Sequence, residues 1–293
     1  MTRTALVIAA HGSRHEPAVN AGIRALADAV AARGLFDEVA VAFHQGRPLF
    51  STVLDDLRAE QVTVVPLMSS DGYYSDVVLP RELARNQSLS AAGRMVLRQT
   101  EPVGTHPQMA ALSAERVGRI MAAHGLSPQE TTVAVVGHGT PRHARSCNST
   151  IALADRLRRL GVAEHVLAAF LDEEPFVESI VPQAREPAII VVPFLIAAGA
   201  HATGDVPRRV GLALAKGQAL PASGFVDGRF IVCDAPFGDD PAIIEIILDL
   251  ARPPRFASSQ EEAKGGSQAR RLRIGARSIH HRERERAGFG ECP

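Results

Sequence analysis

The feature that most constrains this chain is a self-match at one fixed offset. His11 and His138 are 127 positions apart, and so are Phe43 and Phe170, Pro48 and Pro175, Pro66 and Pro193, and Gly72 and Gly199. Ala27-Asp28 with Ala154-Asp155, and Pro80-Arg81 with Pro207-Arg208, keep that spacing. Later, Pro102-x-Gly-x-x-Pro107 returns as Pro236-x-Gly-x-x-Pro241 at an offset of 134, which places a seven-residue insertion late in the second copy. Chance matches scatter over many offsets, whereas these stay in step. A duplicated unit of about 120 residues is close to the commonest domain size. The expected division is a first lobe over 1–125, a second over 126–253, and a tail over 254–293.

Each copy reads as α/β. Ala5 to Ala10 and Thr132 to Val136 are short apolar runs ending in Gly/His turns, the pattern of buried parallel strands. Val39 to Phe43 and Val166 to Leu171 predict second strands, and Val62 to Met68 and Ala188 to Ile196 third ones. Helical spacing over Pro17 to Arg33 and Ser146 to Leu160 predicts first helices, closed by Gly34 and Gly161. Proline at a first turn predicts second helices over Pro48 to Ala59 and Pro175 to Arg185. Strands alternating with helices imply two parallel sheets wound by right-handed crossovers, two tandem lobes with a cleft between them.

Composition removes several function classes. Lys plus Arg and Asp plus Glu both number 32, so no global field favours nucleic acid or an anionic membrane. No apolar run approaches the ~20 residues that span a bilayer, and the six apolar residues before His11 are too few for a signal peptide. Three well-separated cysteines (Cys147, Cys233, Cys292) without a C-x-x-C suit a reducing cytoplasm and give no thiolate metal site. Residues 254–293 hold nine Lys/Arg against five Glu and no hydrophobic period, which predicts a disordered basic tail. A homo-oligomer stays open.

Ligands of parallel α/β sheets meet the carboxyl ends of the strands, so the residues that follow each strand are the ones to compare. The second copy carries Gly-His138-Gly-Thr, Phe170-Leu-Asp172-Glu173 and Gly199-Ala-His201. The first carries Ala-His11-Gly-Ser, Phe43-His-Gln45 and Gly72-Tyr-Tyr74. Two imidazoles and a carboxylate suit a divalent first-row transition metal with positions left for substrate. Glutamine is a poor ligand, and a phenol of pKa ~10 stays protonated, so His11, Gln45 and Tyr74 predict a degenerate first-lobe site. A single histidine after a strand is otherwise an ordinary hydrogen-bonding residue, and Gly-His-Gly alone is a tight turn. Without G-x-G-x-x-G or a P-loop Gly-Lys-Ser/Thr, the nucleotide-binder reading is poor. His15, His44, His106, His124, His143 and His165 show no such convergence and read as surface residues.

These motifs, with Val-Val-Pro-Phe-Leu before Gly199 and Asp205-Val-Pro207 after His201, resemble the class II tetrapyrrole chelatases, specifically the sirohydrochlorin cobalto- and ferrochelatases, over about residues 4 to 250. The resemblance implies a lyase that inserts Co²⁺ or Fe²⁺ into a metal-free tetrapyrrole, with no resident cofactor and the metal as substrate. It implies that His138 and His201 bind the metal and take pyrrole protons. Asp172 stands where the family commonly has Glu, and Glu173 is the adjacent alternative. Arg14, Arg47, Arg81, Arg142, Arg145 and Arg208 are expected partners for substrate carboxylates, because guanidinium forks match them. A non-catalytic metal carrier or tetrapyrrole-binding protein is the second reading.

Overall fold

The repeat offset is carried into the sheets residue for residue. In this computed structural model, which describes residues 2–89, 95–141, 143, 145–197, 199–215 and 217–252, the first half forms a parallel sheet. Its strands are β1 (Thr4–Ala10), β2 (Glu38–Phe43), β3 (Gln61–Pro66) and β4 (Val96–Gln99), in the order β2-β1-β3-β4. The second half has β5 (Thr131–Gly137), β6 (His165–Phe170), β7 (Ala188–Pro193), β8 (Ala222–Val226) and β9 (Arg229–Cys233), in the order β6-β5-β7-β9-β8. Ala10 pairs with Phe43 and Ala9 with Pro66; Gly137 pairs with Phe170 and Val136 with Pro193, the same registers 127 residues on. Every residue of β5 and β7 is buried, as strands covered on both faces must be. The late insertion is accounted for by β8, which pairs antiparallel with β9.

The helices are α1 (Pro17–Ala31), α2 (Leu79–Leu89), α3 (Gln108–His124), α4 (Asn148–Arg159), α5 (Ile180–Gln183), α6 (Val206–Arg209) and α7 (Ala242–Ala251). Gly125 and Gly161 take left-handed φ of +65° and +66° just past α3 and α4, the conformation glycine supplies when a helix ends. Two sequence expectations fail. Pro48 and Pro175 do not open helices: each follows a cis peptide bond, and its carbonyl accepts the amide of Phe43 or Phe170 at 2.9 Å. Only the short turns Val53–Asp56 and Val177–Ser179, with α5, are helical there. The backbone amides are spent on closing the loop back onto the strand, so proline marks a tight return here. The expected tail, 254–293, lies outside the described residues.

The last helix of each half packs on the other half. Helix α3 lies against β7 and α4, while α7 lies against β3 and α1. A single apolar cluster therefore runs through both lobes, from Leu6 and Ile8 through Met109 and Val117 to Val133, Ile190, Ile243 and Ile247. Polar locks hold the exchange. Arg98 of β4 donates to the Ala251 carbonyl at the end of α7 (2.5 Å), satisfying a carbonyl the helix leaves free. Buried Arg116 of α3 pairs with buried Asp234 (2.9 Å) and lies over the Phe237 ring. His106, expected at the surface, is instead buried and bonds Asp249 of α7 at 3.2 Å.

Candidate functional site

The residues after β5 and β7 bring two imidazoles together. His138 leaves β5 into Gly139, whose φ is +67°. The His138 Nδ1 lies 2.9 Å from the Gly139 carbonyl, an acceptor only, so Nδ1 carries the proton and Nε2 presents its lone pair to the cleft. His201 opens a five-residue π-helical turn, His201–Asp205, a rare element frequent at functional sites. Its Nδ1 lies 2.8 Å from Asp205 Oδ2, which fixes the same tautomer. The hydrogen bond from Arg208, and after it that from His201, hold the Asp205 carboxyl below its ordinary value, so it is an anion. The two rings stand 5.1 Å apart, centroid to centroid, at 80°. Their side chains are 46% and 63% exposed, so solvent and a guest can reach them.

The two candidate acids are separated by the loop. The Asp172 amide donates to the His138 carbonyl at 2.9 Å, and its Oδ2 sits 3.5 Å from His138 Nδ1. Glu173 turns inward: its Oε1 accepts the Thr140 amide (3.0 Å) and the Ser146 hydroxyl (3.1 Å). A Cβ on Gly139 would lie 2.7 Å from the Glu173 side chain, so glycine there is required by both its φ and this close approach. Asp172 thus meets an imidazole from the proton-bearing side, and Glu173 builds the loop. Among the described residues no three His, Cys, Asp or Glu side chains stand together as a metal-holding group. The arrangement is an open pair of nitrogens with carboxylates behind them, as second partners to metal-binding histidines commonly are.

The first lobe repeats the backbone and changes the chemistry. His11 Nδ1 bonds the Gly12 carbonyl at 3.0 Å, and the Gln45 amide donates to the His11 carbonyl at 2.7 Å. Tyr74 opens the equivalent π-helical turn and packs edge-on to His11, 4.7 Å between centroids. His44, expected to be an ordinary surface residue, is half-buried in this cluster: its ring lies 5.4 Å from His11 and 4.9 Å from Tyr74. Its signal in the sequence was a histidine at a strand exit where the second copy has Leu171. Burial is the largest cause lowering the His11 pKa, and His138 and His201 of the second lobe lie near enough to act on it.

The lobes meet around this point. The Ala200 amide donates to Glu16 at 3.2 Å, and Ser149 reaches Asp71 at 3.4 Å. Of the expected substrate arginines, Arg145 pairs with Asp71 and Asp76 across the lobes, and Arg208 with Asp205. Arg14 is exposed and lies near enough to His44 to lower its pKa. Arg47 and Arg81 are exposed, and Arg142 lies outside the described residues.

Comparison with known proteins follows the same repeat. The CbiX family model matches this chain twice, over residues 5–120 and 132–253. A Halobacterium salinarum protein called a probable sirohydrochlorin cobaltochelatase is 32% identical over 264 residues, 84% of this chain and 90% of its own length. A multi-domain Deinococcus radiodurans protein described as structurally similar to chelatases superposes with a TM-score of 0.66 at 26% identity, over 86% of this chain. This chain spans 55% of that longer protein. SirB from Bacillus subtilis, solved with Fe³⁺, has the same fold, with a TM-score of 0.66 at 19% identity over 85% of this chain and 94% of its own. With both halves matched and the strand-end histidines repeated in register, the chain belongs to the CbiX family.

Proposed function

We propose that this protein is a sirohydrochlorin chelatase, a lyase that inserts a divalent metal, Co²⁺ by preference and Fe²⁺ as the alternative, into the metal-free macrocycle. The observation that carries the reading is the His138–His201 pair: two rings 5.1 Å apart, each with its Nδ1 proton engaged and its Nε2 free. A cation bound ~2.1 Å from each nitrogen can bridge them, and imidazole suits first-row divalent ions.

Insertion exchanges one M²⁺ for two pyrrole protons. His138 and His201 hold the incoming cation through Nε2. As the ion passes to the macrocycle nitrogens, each freed Nε2 accepts a pyrrole proton and passes it to solvent. Asp172 and Asp205, on the Nδ1 sides, offset the positive charge that the cation brings and the imidazolium retains. The macrocycle supplies the remaining ligands, so neither ATP nor a reductant enters this scheme. The polycarboxylate rim of the guest would draw on Arg14, Arg142, Arg145 and Arg208; engaging Arg145 and Arg208 requires sharing them with Asp71, Asp76 and Asp205. No described helix is long and apolar enough to cross a membrane, and a cytoplasmic site of action is part of the proposal. A two-nitrogen grip favours release over storage, which sets this reading above the carrier.

The test is a matrix of Co²⁺, Fe²⁺ and Ni²⁺ against metal-free sirohydrochlorin, followed by the change in macrocycle absorbance. Wild-type protein accelerates insertion and His201→Ala does not. Metal binding with an unchanged macrocycle spectrum would convert the protein into a carrier.

A further inference from the structure

We infer that the first lobe holds a divalent transition-metal cation of its own through His11 and His44. The repeat does not create this pair: His44 corresponds to Leu171, and Tyr74 stands where the second lobe has the ligand His201. The first lobe has lost one imidazole at the third strand end and carries another at the second.

The geometry parallels the second-lobe pair. His11 and His44 have ring centroids 5.4 Å apart, against 5.1 Å for His138 and His201. His11 is fixed as His138 is, with Nδ1–H on the carbonyl of the following glycine and Nε2 left to accept a cation. The His44 ring makes ring contacts with His11, Phe50 and Tyr74 and no hydrogen bond to any described residue, although it is half-buried. A residue kept only for packing has no use for two ring nitrogens, and leucine fills the equivalent place in the other lobe. Tyr74 packs on both rings and walls one side.

Neutral imidazoles are what a cation needs, because protonated ones must first release a proton. Two imidazoles select cobalt, nickel, copper, zinc or ferrous iron over magnesium or calcium, which prefer oxygen. Facing the second-lobe pair, such a site would stage the ion that the reaction consumes, though its occupancy does not depend on the chelatase reading.

The experiment uses Co²⁺ alone, without macrocycle, on the full chain. A double variant, His138→Ala with His201→Ala, removes the second-lobe pair. Isothermal titration and the cobalt ligand-field absorption should still report one bound equivalent, and adding His44→Leu should abolish it. His44→Gln, which keeps a polar side chain of similar length, is read in parallel in case leucine disturbs the fold. A double variant that binds no cobalt overturns the inference, as does binding that survives both His44 substitutions, which would place the ion elsewhere. The macrocycle assay is separate: insertion without first-lobe binding, or binding without insertion, tells the two proposals apart.

Discussion

Asp205 Oδ2 stands 2.8 Å from His201 Nδ1, four residues back along the chain, because the π-helical turn sets position i+4 beside the ring. That carboxylate fixes which nitrogen of His201 faces the cleft. Replacing Asp205 with Asn keeps the shape and removes the charge. Removing such a partner of a metal-binding histidine costs about 10- to 100-fold in metal affinity or activity. The expected outcome for Asp205→Asn is a fall of that size in cobalt insertion, with the far-ultraviolet dichroism unchanged.

Gly139→Ala should damage the same site from the backbone side. The left-handed φ costs a β-carbon about 1–2 kcal/mol, and the new methyl meets the Glu173 side chain at 2.7 Å. Glu173 must then release Thr140 or Ser146, and the loop that aims His138 moves with it. Both a lowered melting temperature and weaker cobalt binding are expected; a variant with wild-type values for both would show that the loop has slack.

Buried Arg116 and Asp234 join α3 to the second sheet. Removing one member of a buried pair leaves an unpaired charge, a loss of about 3–5 kcal/mol, whereas replacing both with apolar residues of similar volume is often close to neutral. Arg116→Met alone should therefore unfold at markedly lower denaturant than the Arg116→Met, Asp234→Leu double variant. Chemical denaturation read by dichroism measures the difference.

Glu178 tests pH dependence behind His201. The hydrogen bond from Arg209, which follows the π-helical turn, holds its carboxyl below the ordinary value. A depressed carboxylate pKa adds stability that is fully present above the unfolded value, ~4.3, and is lost as pH falls through the folded value. Because Glu178 is largely exposed, the contribution is that of a surface ion pair, up to about 1 kcal/mol. The melting-temperature gap between wild type and Glu178→Gln should be open at pH 7 and close below pH 4.

The repeat made the first three strands of each lobe and the strand-end histidines legible, because burial on both faces writes Val, Ile and Ala without interruption. It did not reveal β4, β8 and β9, which are four or five residues long and carry too little pattern. Pro48 and Pro175 were misread because proline serves a helix start and a tight return equally well. Most of all, self-similarity says which elements are alike and is silent on which copy each one covers. That α3 and α7 trade places follows from packing, and so does the gathering of His11, His44 and Tyr74.

That exchange also constrains how anything enters. With each sheet roofed by a helix from the opposite half, the two halves cannot swing apart without baring the apolar surface they hold in common. Admission of a broad, flat molecule must be left to the crests of the loops, around residues 72–78 and 199–205, where a tyrosine or a histidine starts a wide helical turn.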